Sequence, residues 1–227
     1  MPFFCVTLNM ARAGLLSLPE PLRLLEARRQ TKLQLLRVAA PGFHSDAEVP
    51  DSLIDDEAVR RYLELTPPPA AIIPDFQLII GEIEASYILG LFFAAASAAC
   101  VSIERMLNLA RIRLHAHHPK IPALWEKGPL NSWAENIDAL HSWAYLDSAF
   151  AQELKVIYKN IRNPYLHSGT ITDAQGDAKR SVESAYKLIG TFLGFPPDLF
   201  RIGPGIECLN PTDPRYIEFY RSSLTSL

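Results

Sequence analysis

The chain has 227 residues and carries 22 Lys plus Arg against 25 Asp plus Glu, a formal charge of −3. That length is enough to bury an ordinary core, and the charge balance excludes a global basic field, so any contact with nucleic acid has to be local. Its three cysteines, Cys5, Cys100 and Cys208, are odd in number and far apart, which excludes a disulfide framework or a cysteine zinc site and fits a reducing compartment.

The opening residues, MPFFCVTLNMARAGLLSL, lack a basic stretch ahead of the apolar run and a small-residue cleavage site after it, so we expect a cytoplasmic protein. Over residues 19–38, Leu22, Leu25, Leu33 and Leu36 recur at helical spacing with Arg28, Arg29, Lys32 and Arg37 between them, which predicts one amphipathic helix. Its basic side is either a solvated face or a local contact for phosphate. A polar loop over 40–50 and a short helix over 55–65 follow. TPPPA, residues 66–70, reads as a stiff extended linker and sets a boundary between an N-terminal helical region, 1–70, and the rest.

From residue 75 or 76 to about 116 the pattern predicts a long helix, with a kink near Gly90 or at the serines. Residues 85–103, ASYILGLFFAAASAACVSI, hold 19 positions without a charge. Such a run is either a membrane span or a buried central helix; its alanine-rich composition and the flanking Glu82, Glu84, Glu104 and Arg105 favour the buried helix, and we expect no membrane. Ala94, Ala95, Ala96, Ala98 and Ala99 suit close approach of another helix, at a bundle centre or a dimer seam. The histidines of HAHH, 115–118, lack the i, i+4 face of a helical zinc motif and have no cysteine nearby, so we expect no metal or other cofactor.

Asn131 or Ser132 is positioned to open a helix with Trp133, Ile137 and Leu140 on its apolar side. Another begins near Asp147 and carries Ala151, Leu154, Ile157 and Ile161. A last bundle helix spans 177–193, with Val182, Ala185, Ile189 and Phe192 inward and Gly194 and Pro196 as its stop. Residues 196–227 are rich in proline and glycine and predict an irregular tail packed by aromatics such as Tyr216, Phe219 and Tyr220. The expected fold is therefore all-α: a helical bundle over 71–195, preceded by a helical region and followed by an irregular tail.

The chemistry concentrates in residues 154–169, LKVIYKNIRNPYLHSG. The apolar period delivers Arg162 at the end of a helix, and Pro164 disfavours helical geometry at Asn163 and has no N–H, which predicts a break between Arg162 and His167. On an unbroken helix those two side chains would lie roughly 140° apart. With a break, a permanent guanidinium and an imidazole can face one small volume. Arginine can then hold phosphate oxygens in a bidentate grip while histidine exchanges a proton with a ribose 2′-OH or the leaving 5′-oxygen, with no metal required. The bland alternative is a capped helix end with His167 packed and Arg162 paired to Glu153 or Asp173. Arg113–His118, Arg111–His117 and Arg37–His44 have similar spacing but no polar residue after the arginine.

RNPYLH, residues 162–167, resembles the R-x4-6-H signature of HEPN domains, in which a polar residue commonly follows the arginine, as Asn163 does. SYILGLFFAAASAACVSIERMLNLA resembles the alanine-rich helix that opens many HEPN bundles, and DAKRSVESAYKLIGTFL the helix that closes them. The likeness spans residues 75–194. It implies an up-down bundle and a metal-independent ribonuclease of a toxin–antitoxin, abortive-infection or other defence system. RNA would be the substrate, a homodimer the expected form, and an antitoxin or regulatory protein a further partner. By the same resemblance His167 acts on the 2′-OH or leaving group, Arg162 holds the scissile phosphate, and Asn163 orients or polarises; Tyr165 either stacks on a base or, the reading favoured here, packs in the bundle. Some members are instead non-catalytic nucleotide-binding or interaction modules.

Overall fold

The computed structural model describes residues 20–39, 54–66, 77–114, 132–167, 169–193, 200–202 and 206–208. Helices dominate: α1 (Glu20–Ala39), α2 (Asp56–Glu64), α3 (Gln77–Ile88), α4 (Phe92–Leu114), α5 (Trp133–Ser142), α6 (Ser148–Ile157), the single turn α7 (Asn163–Leu166) and α8 (Ala174–Leu193). The fold is all-α. The tail adds one departure from its expected irregularity, a two-stranded antiparallel ribbon of β1 (Phe200–Ile202) and β2 (Ile206–Cys208) in the register Phe200↔Cys208. Gly, Pro and Gly separate the strands in sequence, a composition suited to a turn. The proline-rich 67–70 segment, HAHH, and Tyr216, Phe219 and Tyr220 lie outside the described residues, as do the leucine side chains singled out on α1.

Local chemistry sets four of the helix starts. Asp55 accepts from Ala58 N–H (2.6 Å), Ser132 from Glu135 N–H (3.4 Å), Asp147 from Phe150 N–H (2.7 Å) and Asp173 from Gly176 N–H (2.9 Å). Each satisfies a donor that the first helical turn leaves orphaned, a contribution of about 1 kcal/mol per cap.

The long helix expected from 75 to 116 is two helices. Gly90 takes φ +77, its N–H bonds Tyr87 O (3.0 Å) and Leu91 N–H bonds Ser86 O (2.8 Å), which closes the carbonyls of α3 before α4 begins. Arg61 of α2 adds a further stop by donating Nε–H to Ile88 O at 2.7 Å, a cation on the negative end of the helix. The uncharged run therefore bends back on itself. The nearest atoms a Cβ at Gly90 would meet are those of the Arg61 guanidinium, at 3.5 Å or more. The cost of Gly90→Ala is conformational, and thermal or urea denaturation should register about 1–2 kcal/mol of lost stability. An unchanged midpoint would mean that the chain does not need the left-handed turn.

Helix α4 is the axis of the bundle. It packs against α3, α5, α7 and most extensively α8. Ala95, Ala96, Ala99, Cys100 and Ile103 on α4 and Ala178, Val182 and Ala185 on α8 are fully buried, small enough to bring the two helices close. Within that seam the Cys100 thiol lies 3.9 Å from Ser181 Oγ. Burial pushes the thiol up to about 12, so it carries no charge at neutral pH. Residues 92–111 are long and apolar enough by composition to cross a membrane, but 44% of the 18-residue window that qualifies is buried in the bundle.

A second core joins Ala27 of α1 and Ala58, Val59 and Tyr62 of α2 to Ala85 and Ile88 of α3, while Ile80, Ile83 and Tyr87 of the same α3 face the main core. Burial on two sides explains why α3 is apolar almost all round. Polar contacts tie α2 and its end to α3 and α8: Tyr87 Oη donates to Glu64, Gln175 Nε2 donates to Glu64 (3.0 Å), and Thr66 donates its N–H (3.0 Å) and hydroxyl (2.8 Å) to Glu183.

Candidate functional site

The helix carrying Arg162 does not break at Pro164. It widens first. Tyr158–Arg162 form a π turn in which Asn163 N–H reaches back to Tyr158 O, and Asn163 itself is helical at φ −66, ψ −47. The wide turn takes the preceding carbonyls out of the register in which a proline ring would collide with them, so Pro164 can enter α7 as one of its first residues. The chain leaves helical geometry only at His167, with φ −136 and ψ 85. Gly169 N–H then bonds Pro164 O (3.1 Å). A Cβ on Gly169 would stand 2.6 Å from Pro164 Cα, so this return requires glycine.

The outcome is a meeting of the two side chains by a different route from the expected one. Arg162 Nη1 lies 3.4 Å from His167 Nε2 and 3.3 Å from Asn163 Oδ1. A guanidinium has only donors, so the first contact requires Nε2 to be the unprotonated ring nitrogen. His167 is exposed, while the Arg162 side chain is only 19% accessible. That difference suits a fixed cation beside a reachable proton acceptor.

Two further contacts hold the arginine. Its Nη2 donates to Glu104 of α4 at 3.2 Å, and its Cζ sits 5.5 Å over the Tyr158 ring, which in turn lies 5.7 Å from the ring of Trp133. The carboxylate is neither of those expected. Glu153 instead accepts from Ser184 (2.8 Å) and Lys187 (3.4 Å), and Asp173 caps α8. A part-buried pair of this kind fixes a side chain more than it stabilises a fold.

Of the two readings of Tyr165, packing agrees with the structure and the base platform does not. The residue is 5% exposed, its ring is stacked on Phe93 at 5.4 Å, and burial pushes its hydroxyl up to about 12. The buried position follows from i+4 spacing after Ile161, itself 1% exposed. Phe93, against the Tyr165 ring, is 57% exposed, and Leu166, between Tyr165 and His167 in the chain, is 39% exposed.

Beside Glu104, a groove of about 210 Å³ is lined by Val101, Glu104, Arg105, Asn108 and Asn136. No group of three or more His, Cys, Asp or Glu side chains suited to a metal occurs among the described residues. Glu104 and Asn136 escaped the sequence reading because each earns its place through a distant partner; the only local sign was a carboxylate directly after a long uncharged run. Compared with known proteins, the chain matches no protein-family model, no curated protein and no solved structure.

Proposed function

We propose that the chain is a metal-independent endoribonuclease of the HEPN type, acting in a toxin or other defence system as a homodimer restrained by an antitoxin or regulatory protein. The observation that carries this reading is the 3.4 Å approach of the Arg162 guanidinium to an exposed His167 Nε2. In the proposed reaction, His167 takes the proton of a ribose 2′-OH. The 2′-oxygen bonds to the adjacent phosphorus, the bond to the 5′-oxygen breaks, and that oxygen leaves with a proton returned by histidine. Arg162 neutralises charge growing on the non-bridging oxygens, and Asn163 Oδ1 holds its fork in place. In a homodimer a second copy of the pair would supply the acid while the first supplies the base. The exposed Leu166, next to His167 in the chain, supports pairing of two copies there.

Incubation of the purified protein with mixed RNA in excess EDTA, followed by analysis of the product ends, tests the chemistry. Cleavage leaving 2′,3′-cyclic phosphate and 5′-hydroxyl ends is expected. Ends bearing 3′-hydroxyl and 5′-phosphate, or cutting that needs added divalent metal, would overturn the proposal. The second reading, a non-catalytic module for nucleotide or protein binding, draws on Glu104, which occupies one end of the Arg162 fork. Folded dimer that retains RNA without cutting it would favour that reading.

A further inference from the structure

The groove beside Arg162 contains a polar group that the chemistry above does not use. Asn136 of α5 lines it and is fully buried. Its Oδ1 accepts from Arg111 Nη1 at 2.7 Å. Because arginine can only donate, that bond fixes which end of the amide is oxygen and leaves Nδ2 as a donor with no acceptor among the described residues. Native interiors rarely tolerate such an orphan.

Charge in the same place points one way. Arg111 is 7% exposed, and burial lowers its affinity for its proton, so a buried cation lies directly behind the amide. Glu135, exposed on α5, acts on it electrostatically. Arg105 stands exposed at the groove, and Glu104, the one carboxylate lining it, is engaged by Arg162. An orphan donor backed by a cation, with a second cation at the mouth, asks for an anionic oxygen. At about 210 Å³ the groove is smaller than a typical drug-sized ligand site but ample for a phosphate group.

We infer that the groove between α4 and α5 is a subsite for a phosphodiester of the RNA strand neighbouring the one cut, with Asn136 Nδ2 and Arg105 as its donors. The inference rests on the ribonuclease reading for the identity of the strand. Glu104 joins the two places, since it lines the groove and holds Arg162. A phosphate contact sets the register of a strand without reading its bases.

The test uses an uncleavable 2′-O-methyl RNA hexanucleotide, titrated calorimetrically into the full chain at several KCl concentrations. Asn136→Asp keeps the acceptor for Arg111, so the fold is retained, but replaces the donor with a carboxylate; its Kd should rise about tenfold. Arg105→Gln, a surface change, should weaken binding several-fold and lower the slope of log Kd against log salt by about 0.7, the signature of one phosphate contact on a single strand. Wild-type affinity in both variants overturns the subsite, as does weaker binding in Arg105→Gln with an unchanged salt slope. A wild-type protein that binds no hexanucleotide overturns it too. Failure of the ribonuclease reading is seen separately: hexanucleotide binding that depends on Asn136 without any cleavage in EDTA leaves the subsite standing and removes the reaction. Cleavage with Asn136-independent binding does the reverse.

Discussion

His167→Ala is expected to lower metal-free RNA cleavage by about 10²- to 10⁴-fold, the range that a positioned general acid–base contributes, while leaving the unfolding midpoint in place. The two halves of that expectation come from one observation. His167 is exposed and ends a helical turn, and its side chain approaches Arg162 at 3.4 Å. Removing an exposed side chain without a cap or a core contact changes stability by no more than about 0.5 kcal/mol. Its backbone N–H, which bonds Asn163 O at 2.9 Å, is kept by alanine. Single-turnover cleavage and urea unfolding on the same preparation give both numbers. The opposite split, a lower midpoint with undiminished cutting, would make His167 a structural residue and remove it from the chemistry.

The meeting of Arg162 and His167 was legible because its ingredients are local. Helical period up to Ile161, a proline inside the following turn and a glycine two residues beyond the histidine all lie within a dozen positions. How the chain would satisfy that proline was not legible. A break at Asn163 and a wide turn before it both relieve the missing N–H, and the turn that forms holds Tyr158 between Trp133 and the Arg162 guanidinium, neither of which the local sequence places there. The same division runs through the fold. Asp55, Ser132 and Asp147 announce their helices because a cap acts on a donor three residues away. Gly90 was visible as a weak point in a long helix, but whether it bends or ends that helix is decided by what else can cap the carbonyls, and Arg61 comes from another helix. Glu104 lies 58 residues before Arg162, and Arg111 lies 25 before Asn136. No periodicity encodes pairs at such separations; only the packing of α4 against its neighbours brings them together.

That packing yields the largest stability effect expected in the molecule. Trp133→Ala should cost about 3–5 kcal/mol, the usual penalty for emptying a buried aromatic site, because the indole is 1% exposed and supports the Tyr158 ring at 5.7 Å. Against a total stability of about 5–15 kcal/mol for an ordinary domain, the variant should remain foldable only well below the wild-type midpoint. Trp133→Phe should behave quite differently. It keeps an aromatic ring at the same place and removes Nε1–H, a buried donor with no acceptor among the described residues. An unsatisfied buried donor costs about 1–3 kcal/mol, so losing it offsets much of the lost volume, and the net change should stay below about 1.5 kcal/mol. Urea titrations with equal slopes for all three proteins make the comparison sound. Cleavage measured at a temperature where every variant is folded then separates support from bulk stability. Loss of Trp133 frees Tyr158, and with it the ring on which Arg162 rests, so the alanine variant should cut more slowly even when folded, while the phenylalanine variant keeps most of its rate. If both substitutions cost the same, the indole is not the prop beneath the arginine, and the wide turn at Tyr158–Arg162 must be held by the chain itself.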